Sequence, residues 1–504
     1  MTVPHPVAPP SPEQPPADPL VCLVTGATGY VGGRLVPELL AAGHRVRVMT
    51  RSPERLRDHP WAAEVEVVRA DAGDAGSVAA ACEGVDVVYY LIHALGSGPG
   101  FEETDRRTAR VMAGAARDAG VGRLVYLGGL EPQDEELSPH LRSRAEVAAT
   151  LLDSGVPTVV LRAAVVLGSG SASFEMLRYL TERLPVMVTP RWVHSRIQPI
   201  AIRDVLRYLV ACARLPADVH RCFDIGGPDR MSYAEMMQRY ARVAALPRRR
   251  ILPVPLFSPS LSSHWVGLIT PVPAGIARPL VESLRNTVVC TEHDIAAYVP
   301  DPPEGLLGFD DAVALAVQRV KDSAVTTRWA SASVPGAPSD PLPTDPDWAG
   351  GSLYVDDRAL TSTASPDRLW QVVEGIGGDR GWYSWPLAWR VRGWLDRAVG
   401  GVGLRRGRRD PDRLYAGDAL DFWRVEEREA GRLLRLRAEM RVPGLAWLEF
   451  HVEHGPDGGA TLRQRATFAP RGLSGHAYWW AVAAFHGVVF GGMLRGIVRA
   501  AESD

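Results

Sequence analysis

The residues Thr25-Gly26-Ala27-Thr28-Gly29-Tyr30-Val31-Gly32-Gly33 have the spacing that holds a pyrophosphate. They follow a short apolar run, Leu20–Thr25, and open an amphipathic stretch, Val31–Ala42, which is the strand–turn–helix setting a dinucleotide fingerprint requires. Gly26 permits the tight turn, Gly29 lets backbone N–H groups approach a phosphate, and Gly32 lets the helix pack close to the strand. The helix N-terminus adds a positive dipole end. Thr25, Thr28, Tyr30 and Val31 complete this cofactor-binding set. The second run ends in Met49-Thr50-Arg51-Ser52, with an arginine near the place where an acid would select NAD. Arg51, with Arg47 nearby, suits a 2′-phosphate, and Thr50 or Ser52 can donate to it, so the expected cofactor is NADP(H) in preference to NAD(H). Asp71, after the third run, either meets the adenine edge or caps the helix that begins near Asp74. Tyr89, Tyr90 and His93 close the fourth run, at the edge where open α/β sheets place ligands. The tyrosines read equally well as core, and His93 is a candidate catalytic group. Arg162, after the sixth run, is a candidate for an anionic substrate group or a cap on the sheet.

The elements that must position these groups alternate. Leu20–Thr25, Val46–Thr50, Val65–Arg69, Val85–Tyr90, Leu124–Leu127 and Thr158–Leu161 suit buried parallel strands. Val31–Ala42, Ser77–Cys82, Thr104–Ala119 and Pro139–Asp153 suit helices, with Gly43, Gly84, Gly120 and Gly155 placed as C′ residues. Short joints between them imply an α/β doubly wound parallel sheet of the Rossmann type. The 504 residues divide into a Pro-rich leader over 1–19, read as extended and without a signal peptide, and a nucleotide domain with a substrate lobe over 20–330. The lobe occupies about 171–320, a Pro/Ser/Ala/Asp-rich linker covers 331–351, and a second domain covers 352–504. Within the lobe, Ile251–Leu280 is proline-punctuated and reads as irregular.

Composition narrows the chemistry. With 56 basic against 58 acidic residues, bulk electrostatic binding of nucleic acid is not expected. Lys321 is the single lysine, which excludes most Schiff-base and P-loop chemistry. The five cysteines, Cys22, Cys82, Cys212, Cys222 and Cys290, form no CxxC pair, so neither a disulfide framework nor a metal site is expected and a cytoplasmic location is natural.

The segments TGATGYVGG, DVVYYLIH, LVYLGGL, QPIAIRDV and FDIGGPDRMSYAEM, in this order over about Leu20–Lys321, resemble the atypical short-chain dehydrogenase/reductases, the NmrA-like and extended branch. The resemblance implies that Gln198–Val205 and Phe223–Met237 belong to a substrate-proximal lobe. Members of that family usually carry a serine and then Tyr-x-x-x-Lys on the next helix. At the matching places this chain has Gly128-Gly129 and His140-Leu-Arg-Ser-Arg144. A spacing of four keeps His140 and Arg144 on one helix face. Either His140 carries the proton, being an imidazole that titrates near neutrality, while Arg144 holds the ribose hydroxyls, or the site binds a dinucleotide without turnover.

The second domain reads as antiparallel strands, Ala419–Val425, Leu433–Met440, Ala446–Val452 and Leu462–Phe468, closed by a long apolar helix over Ala477–Val498. GWYSWP, RRGRRDP, GDALDFWRV, AEMRVPGLAWLEF and QRATFAPRGLSGHAYWW resemble a domain of unknown function fused behind such reductases, itself similar to START and polyketide-cyclase folds. That resemblance implies an α+β helix-grip architecture around a cavity. Ten of the fourteen tryptophans lie from Trp348 onward. Trp382 and Trp385 are expected either to meet an apolar substrate or to form core. Arg405, Arg406, Arg408 and Arg409 either bind an anion or lie in a solvated loop. The apolar run Tyr478–Leu494 reads as a buried helix in preference to a membrane span, with peripheral membrane contact left open. Together these readings give an NAD(P)H-binding oxidoreductase for a small hydrophobic carbonyl compound. The alternative is a non-catalytic NAD(P)H sensor or scaffold with a ligand-binding second domain.

Overall fold

A computed structural model of the chain describes residues 18–94, 100–132, 137–254, 269–283, 286–324, 352–377, 380–384, 413–455 and 458–503. Most of the leader, the linker, Trp385 and the Arg405–Arg409 cluster therefore lie outside the described residues.

Seven parallel strands form the first sheet. They are β1 (Val21–Thr25), β2 (Arg45–Thr50), β3 (Glu66–Arg69), β4 (Val87–Tyr90), β5 (Arg123–Gly129), β6 (Thr158–Ala163) and β11 (Arg221–Ile225). Their order is β3-β2-β1-β4-β5-β6-β11, so the chain reverses direction across the sheet between β1 and β4. Alternation along each strand sends side chains to two separate cores. Cys22, Val24, Val48 and Tyr89 pack with α1 (Tyr30–Ala41) and α6 (Ile202–Cys212). Leu23, Met49, Val88 and Tyr90 pack with α2 (Ala75–Cys82), α3 (Phe101–Asp118) and α4 (Pro139–Leu152). Full burial of each aliphatic side chain contributes about 1.5–3 kcal/mol. Gly43, Gly84, Gly120 and Gly155, just past the helix ends, all have positive φ.

The seventh strand comes from within the stretch assigned to the substrate lobe. Phe223–Ile225 lies in the main sheet, where β11 pairs with β6, and α6 packs on the same side of that sheet as α1. An ion pair stitches the edge: Arg162 Nη2 lies 2.6 Å from Asp224 Oδ1. The lobe proper contains α5 (Ala172–Arg183), α7 (Tyr233–Val243), α8 (Ala274–Ser283) and α9 (Phe309–Ala324). Its short strands pair as β7 (Val166–Leu167) with β10 (Ile200–Ala201), β9 (Arg196–Ile197) with β12 (Met231–Ser232), and β8 (Val186–Pro190) with β13 (Arg250–Val254).

The second domain is a six-stranded antiparallel sheet in the order β14-β19-β18-β17-β16-β15. Its strands are β14 (Tyr354–Ser362), β15 (Ala419–Leu420), β16 (Trp423–Glu429), β17 (Leu433–Ala438), β18 (Gly444–His454) and β19 (Ala460–Pro470). Leu434, Leu436, Leu448, Phe450 and Leu462 pack against α10 (Pro366–Glu374) and the C-terminal half of α11 (Gly472–Glu502). The domains touch where α11 begins: Arg183 Nη2 donates to Ser352 Oγ (3.1 Å), and a Cβ on Gly472 would lie 3.4 Å from the Glu182 carbonyl oxygen. Among the described residues no single helix is long and apolar enough to cross a membrane. Gly472–Ala483 and Phe485–Glu502, which meet at 61°, reach that length and composition only together.

Candidate functional site

The glycine turn is built by close backbone approach. Thr25 ends β1 with its hydroxyl donating to the Tyr89 carbonyl (3.0 Å) and accepting from the Leu91 N–H (3.0 Å). Its part is thus to tie β1 to the chain leaving β4. Gly26 has φ +71°, and a Cβ there would stand 2.7 Å from the Leu91 carbonyl oxygen. A Cβ on Gly32 would come within 2.4 Å of the Gly26 carbonyl oxygen, so only glycine lets α1 sit this close. Gly29 precedes α1 without any side-chain cap, which leaves the helix start to a ligand. Thr28 is half-buried beside it. Tyr30 lies against Gly168, whose missing Cβ makes room for its hydroxyl, and carries the Arg34 guanidinium 4.3 Å from its ring centroid.

At the end of β2, Thr50 Oγ1 accepts from the Ser52 N–H (3.2 Å). Arg51 is exposed, and no side-chain partner exists for it among the described residues. Arg47, expected to help it, is committed elsewhere: Nε donates to Glu66 (2.8 Å) and Nη1 to the Ala81 and Glu83 carbonyls. Asp74, not Asp71, caps α2 by accepting from the Ser77 N–H (3.0 Å). Asp71 accepts from the Gly73 N–H and is exposed.

A cavity of about 470 Å³ runs from Gly26, Gly29 and Tyr30 past His93, His140 and Arg144 to the lobe. Gly128 and Gly129 form part of its floor. Two histidines and an acid meet at its edge. The His93 and His140 ring centroids are 5.1 Å apart. His93 Nδ1 lies 2.9 Å from Asp105 Oδ2, which also accepts from Ser143 Oγ (3.1 Å), while Oδ1 accepts from the Ala94 N–H (2.8 Å). Burial pushes the Asp105 carboxyl up, but these hydrogen bonds outweigh it and hold the group below its usual range. A carboxylate only accepts, so the neutral His93 ring carries its proton on Nδ1 and its lone pair on Nε2. Neither His93 Nε2 nor His140 Nδ1 has a hydrogen-bond partner among the described residues.

Electrostatics corrects the expectation that His140 titrates near neutrality. Burial, the Arg144 cation and His93 hold His140 well below its ordinary value. Burial and Arg144 bring His93 down to about 4 despite Asp105. Both rings are neutral at pH 7, so neither holds a spare proton. Arg144 is itself anchored, with Nη1 donating to the Leu127 carbonyl (3.1 Å) and the Tyr126 hydroxyl (3.3 Å).

Asp105 and Ser143 do not stand out in the sequence. The available signal was an aspartate on the apolar stripe of α3, where Phe101, Asp105, Thr108, Ala109 and Met112 are all buried. Tyr89 and Tyr90 are core, bonded to the Leu209 carbonyl and Thr108. Two substrate candidates lie apart from the cavity. Arg162 pairs with Asp224, and Trp382 is 5% exposed, its indole N–H donating to Asp421 (2.7 Å) in the second domain's core. Trp385 lies outside the described residues.

A family model described as NAD(P)H-binding matches residues 26–167, and one described as a protein of unknown function (DUF2867) matches residues 348–493. Ceramide reductase of Caulobacter vibrioides is 31% identical over 276 residues, covering 51% of this chain and 82% of the relative. The 3 beta-hydroxysteroid dehydrogenase/Delta 5-->4-isomerase of Mycobacterium tuberculosis is 38% identical over 114 residues, covering 21% of this chain and 30% of that protein. The structure of Citrobacter sp. triphenylmethane reductase complexed with NADP(H) is 20% identical, with a TM-score of 0.48, and covers 59% of this chain and 99% of that one. With the parallel sheet, the glycine turn and a relative matched over most of its length, the chain belongs to the NAD(P)H-binding oxidoreductases of the atypical, NmrA-like short-chain dehydrogenase/reductase type, with a DUF2867 domain behind.

Proposed function

We propose that the protein uses NADP(H), in preference to NAD(H), to interconvert an apolar carbonyl compound and its alcohol. The observation that carries this reading is the single cavity joining the glycine turn to His93, His140 and an apolar wall of Met176, Leu177, Leu180, Met236 and Met237. The dinucleotide fits the residues present. Gly26 and Gly32 let α1 seat closely on the turn, the uncapped helix start at Gly29 receives the diphosphate, Thr50 and the unpartnered Arg51 meet the 2′-phosphate, and Arg144 faces the ribose. When bound, the nicotinamide supplies or accepts the hydride.

This chain's own groups then handle the proton. Asp105 orients His93 by holding Nδ1–H, so Nε2 acts as base toward a hydroxyl when the alcohol is oxidised. In the reducing direction His93 must first take up a proton, which its pKa of about 4 disfavours at pH 7. The Caulobacter relative's name points to a long-chain lipid as substrate. The second domain, in its START-like reading, assists with such a ligand. Trp480, Phe485 and Val488, exposed on α11, support contact with a membrane surface by a cytoplasmic protein.

The test is NADPH binding followed by loss of NADPH absorbance with long-chain keto lipids and aryl ketones. Turnover that His93→Ala abolishes while NADPH binding persists supports the reading. Tight NADPH binding without turnover across the panel favours a sensor, a second reading favoured by the glycines at the serine place and by two neutral histidines.

A further inference from the structure

Helix α7 separates the dinucleotide cavity from a second, open cavity of about 920 Å³. Tyr233, Met236 and Met237 face the first; Ala234, Glu235, Gln238 and Arg239 face the second. Arg230, Arg248, Arg249 and Arg250 complete a wall rich in guanidinium groups. Some of this charge is already balanced. Arg239 pairs with Asp229 (2.7 Å) and Asp310 (2.8 Å). Arg230, by contrast, donates to neutral acceptors, the Gln198 side chain and the Cys290 carbonyl, so it is held in place with its charge intact. Glu235 is occupied by the cap of α7, accepting from the Ser232 N–H (2.6 Å) and hydroxyl (3.0 Å).

Arg248-Arg249-Arg250 leads into β13, and all three residues line the cavity. Arg248 and Arg250 are exposed, whereas Arg249 is 5% exposed. The backbone of Arg249 is clamped on both sides by Gln238, through Oε1 (3.1 Å) and Nε2 (2.6 Å). Its guanidinium nevertheless has no hydrogen-bond or ion-pair partner among the described residues, and Nε is fully buried. Glu182 acts on it only at longer range, and burial pushes that carboxyl up toward its neutral form.

We propose that this cavity binds a phosphate group, with Arg249 as the buried contact and Arg248, Arg250 and Arg230 closing around it. An enclosed, unpaired guanidinium supplies the planar donor fork of a bidentate pair and lacks only the anion. The guanidinium groups of the Arg248–Arg250 segment, joined by Arg230 from a separate loop, match a tetrahedral oxyanion better than a single carboxylate. The phosphate belongs either to a lipid headgroup or to a small free ester.

Isothermal titration of the full chain with inorganic phosphate, at saturating NADPH so that the glycine turn is filled, tests this. One phosphate site is expected, weakened about tenfold or more by Arg249→Gln. The double variant Arg248→Gln/Arg250→Gln, which alters only exposed side chains, is expected to do the same and keeps the test open if Arg249→Gln misfolds. Phosphatidylcholine vesicles doped with phosphatidic acid separate the sources. Co-sedimentation competed by phosphate assigns a headgroup, and phosphate binding without co-sedimentation assigns a free ester; both support the site. Absence of phosphate binding, binding unchanged in both variants, or binding seen only without NADPH overturns it.

Discussion

A single aspartate decides what the histidines can do. Asp105 accepts the hydrogen bond from Nδ1–H of His93, and enclosure lowers the ring's proton affinity, so at pH 7 His93 is neutral, with no proton to give and only a weak pull on one. The same burial couples the site to stability. The folded pKa of His93, about 4, lies below its ordinary 6.5, so the unfolded chain binds more protons between these values. Stability therefore falls as pH drops from 6.5 toward 4, by about 3 kcal/mol from His93 alone. His140 acts in the same direction, and Asp105, with its lowered pKa, adds a loss at still lower pH. Denaturant unfolding across this range should show the slope, and His93→Gln should flatten it. Arg51 makes a second residue-scale prediction. Arg51→Glu should weaken NADPH binding by about tenfold or more and leave NADH nearly untouched, because the proposed contact of Arg51 is with the 2′-phosphate, which NADH lacks. Equal loss for both cofactors would remove Arg51 from that role.

At the scale of elements, the turn and α1 act as one piece. Gly32→Ala must push α1 off the Gly26 carbonyl, which costs about 1–3 kcal/mol and should abolish dinucleotide binding before it abolishes folding. Thermal unfolding alongside NADPH titration separates the two losses. Much of this piece was legible because glycine spacing and apolar alternation are local signals. The C′ glycines marked four helix ends for the same reason. Other features depended on distant partners. Strand β14 reads Tyr-Val-Asp-Asp-Arg, and its charges conceal a strand until Arg463 is seen across the sheet holding Asp357 (2.6 Å). The Asp105–His93 pair joins α3 to the end of β4, and nothing in either segment alone announces the other. Trp382 shows the converse: an aromatic that suits a ligand wall proves to be core once Asp421 satisfies its N–H.

Over the whole molecule, long-range polar links set the architecture. Arg123, at the start of β5, is 4% exposed and donates to the carbonyls of Leu215, Pro216 and Val219 beyond α6. Arg162 and Asp224 join β6 to β11, and Asp224 also accepts from the Thr291 N–H and hydroxyl. Arg162→Ala should leave Asp224, at 2% exposure, as an uncompensated buried charge and cost about 3–5 kcal/mol, read as a lower denaturation midpoint. A loss below about 1 kcal/mol would show the pair to be incidental.

The late arrival of β11 matters during synthesis. The stretch matching the NAD(P)H-binding family ends at residue 167, some way before the strand that covers β6 emerges. Until then the nascent sheet presents the bare N–H and C=O groups of an apolar border strand, a template for pairing with another chain. A fragment cut at that point should therefore be recovered as aggregates, and one extended through α6 and β11 should not. Translation must carry this fold past its obvious end before it is safe.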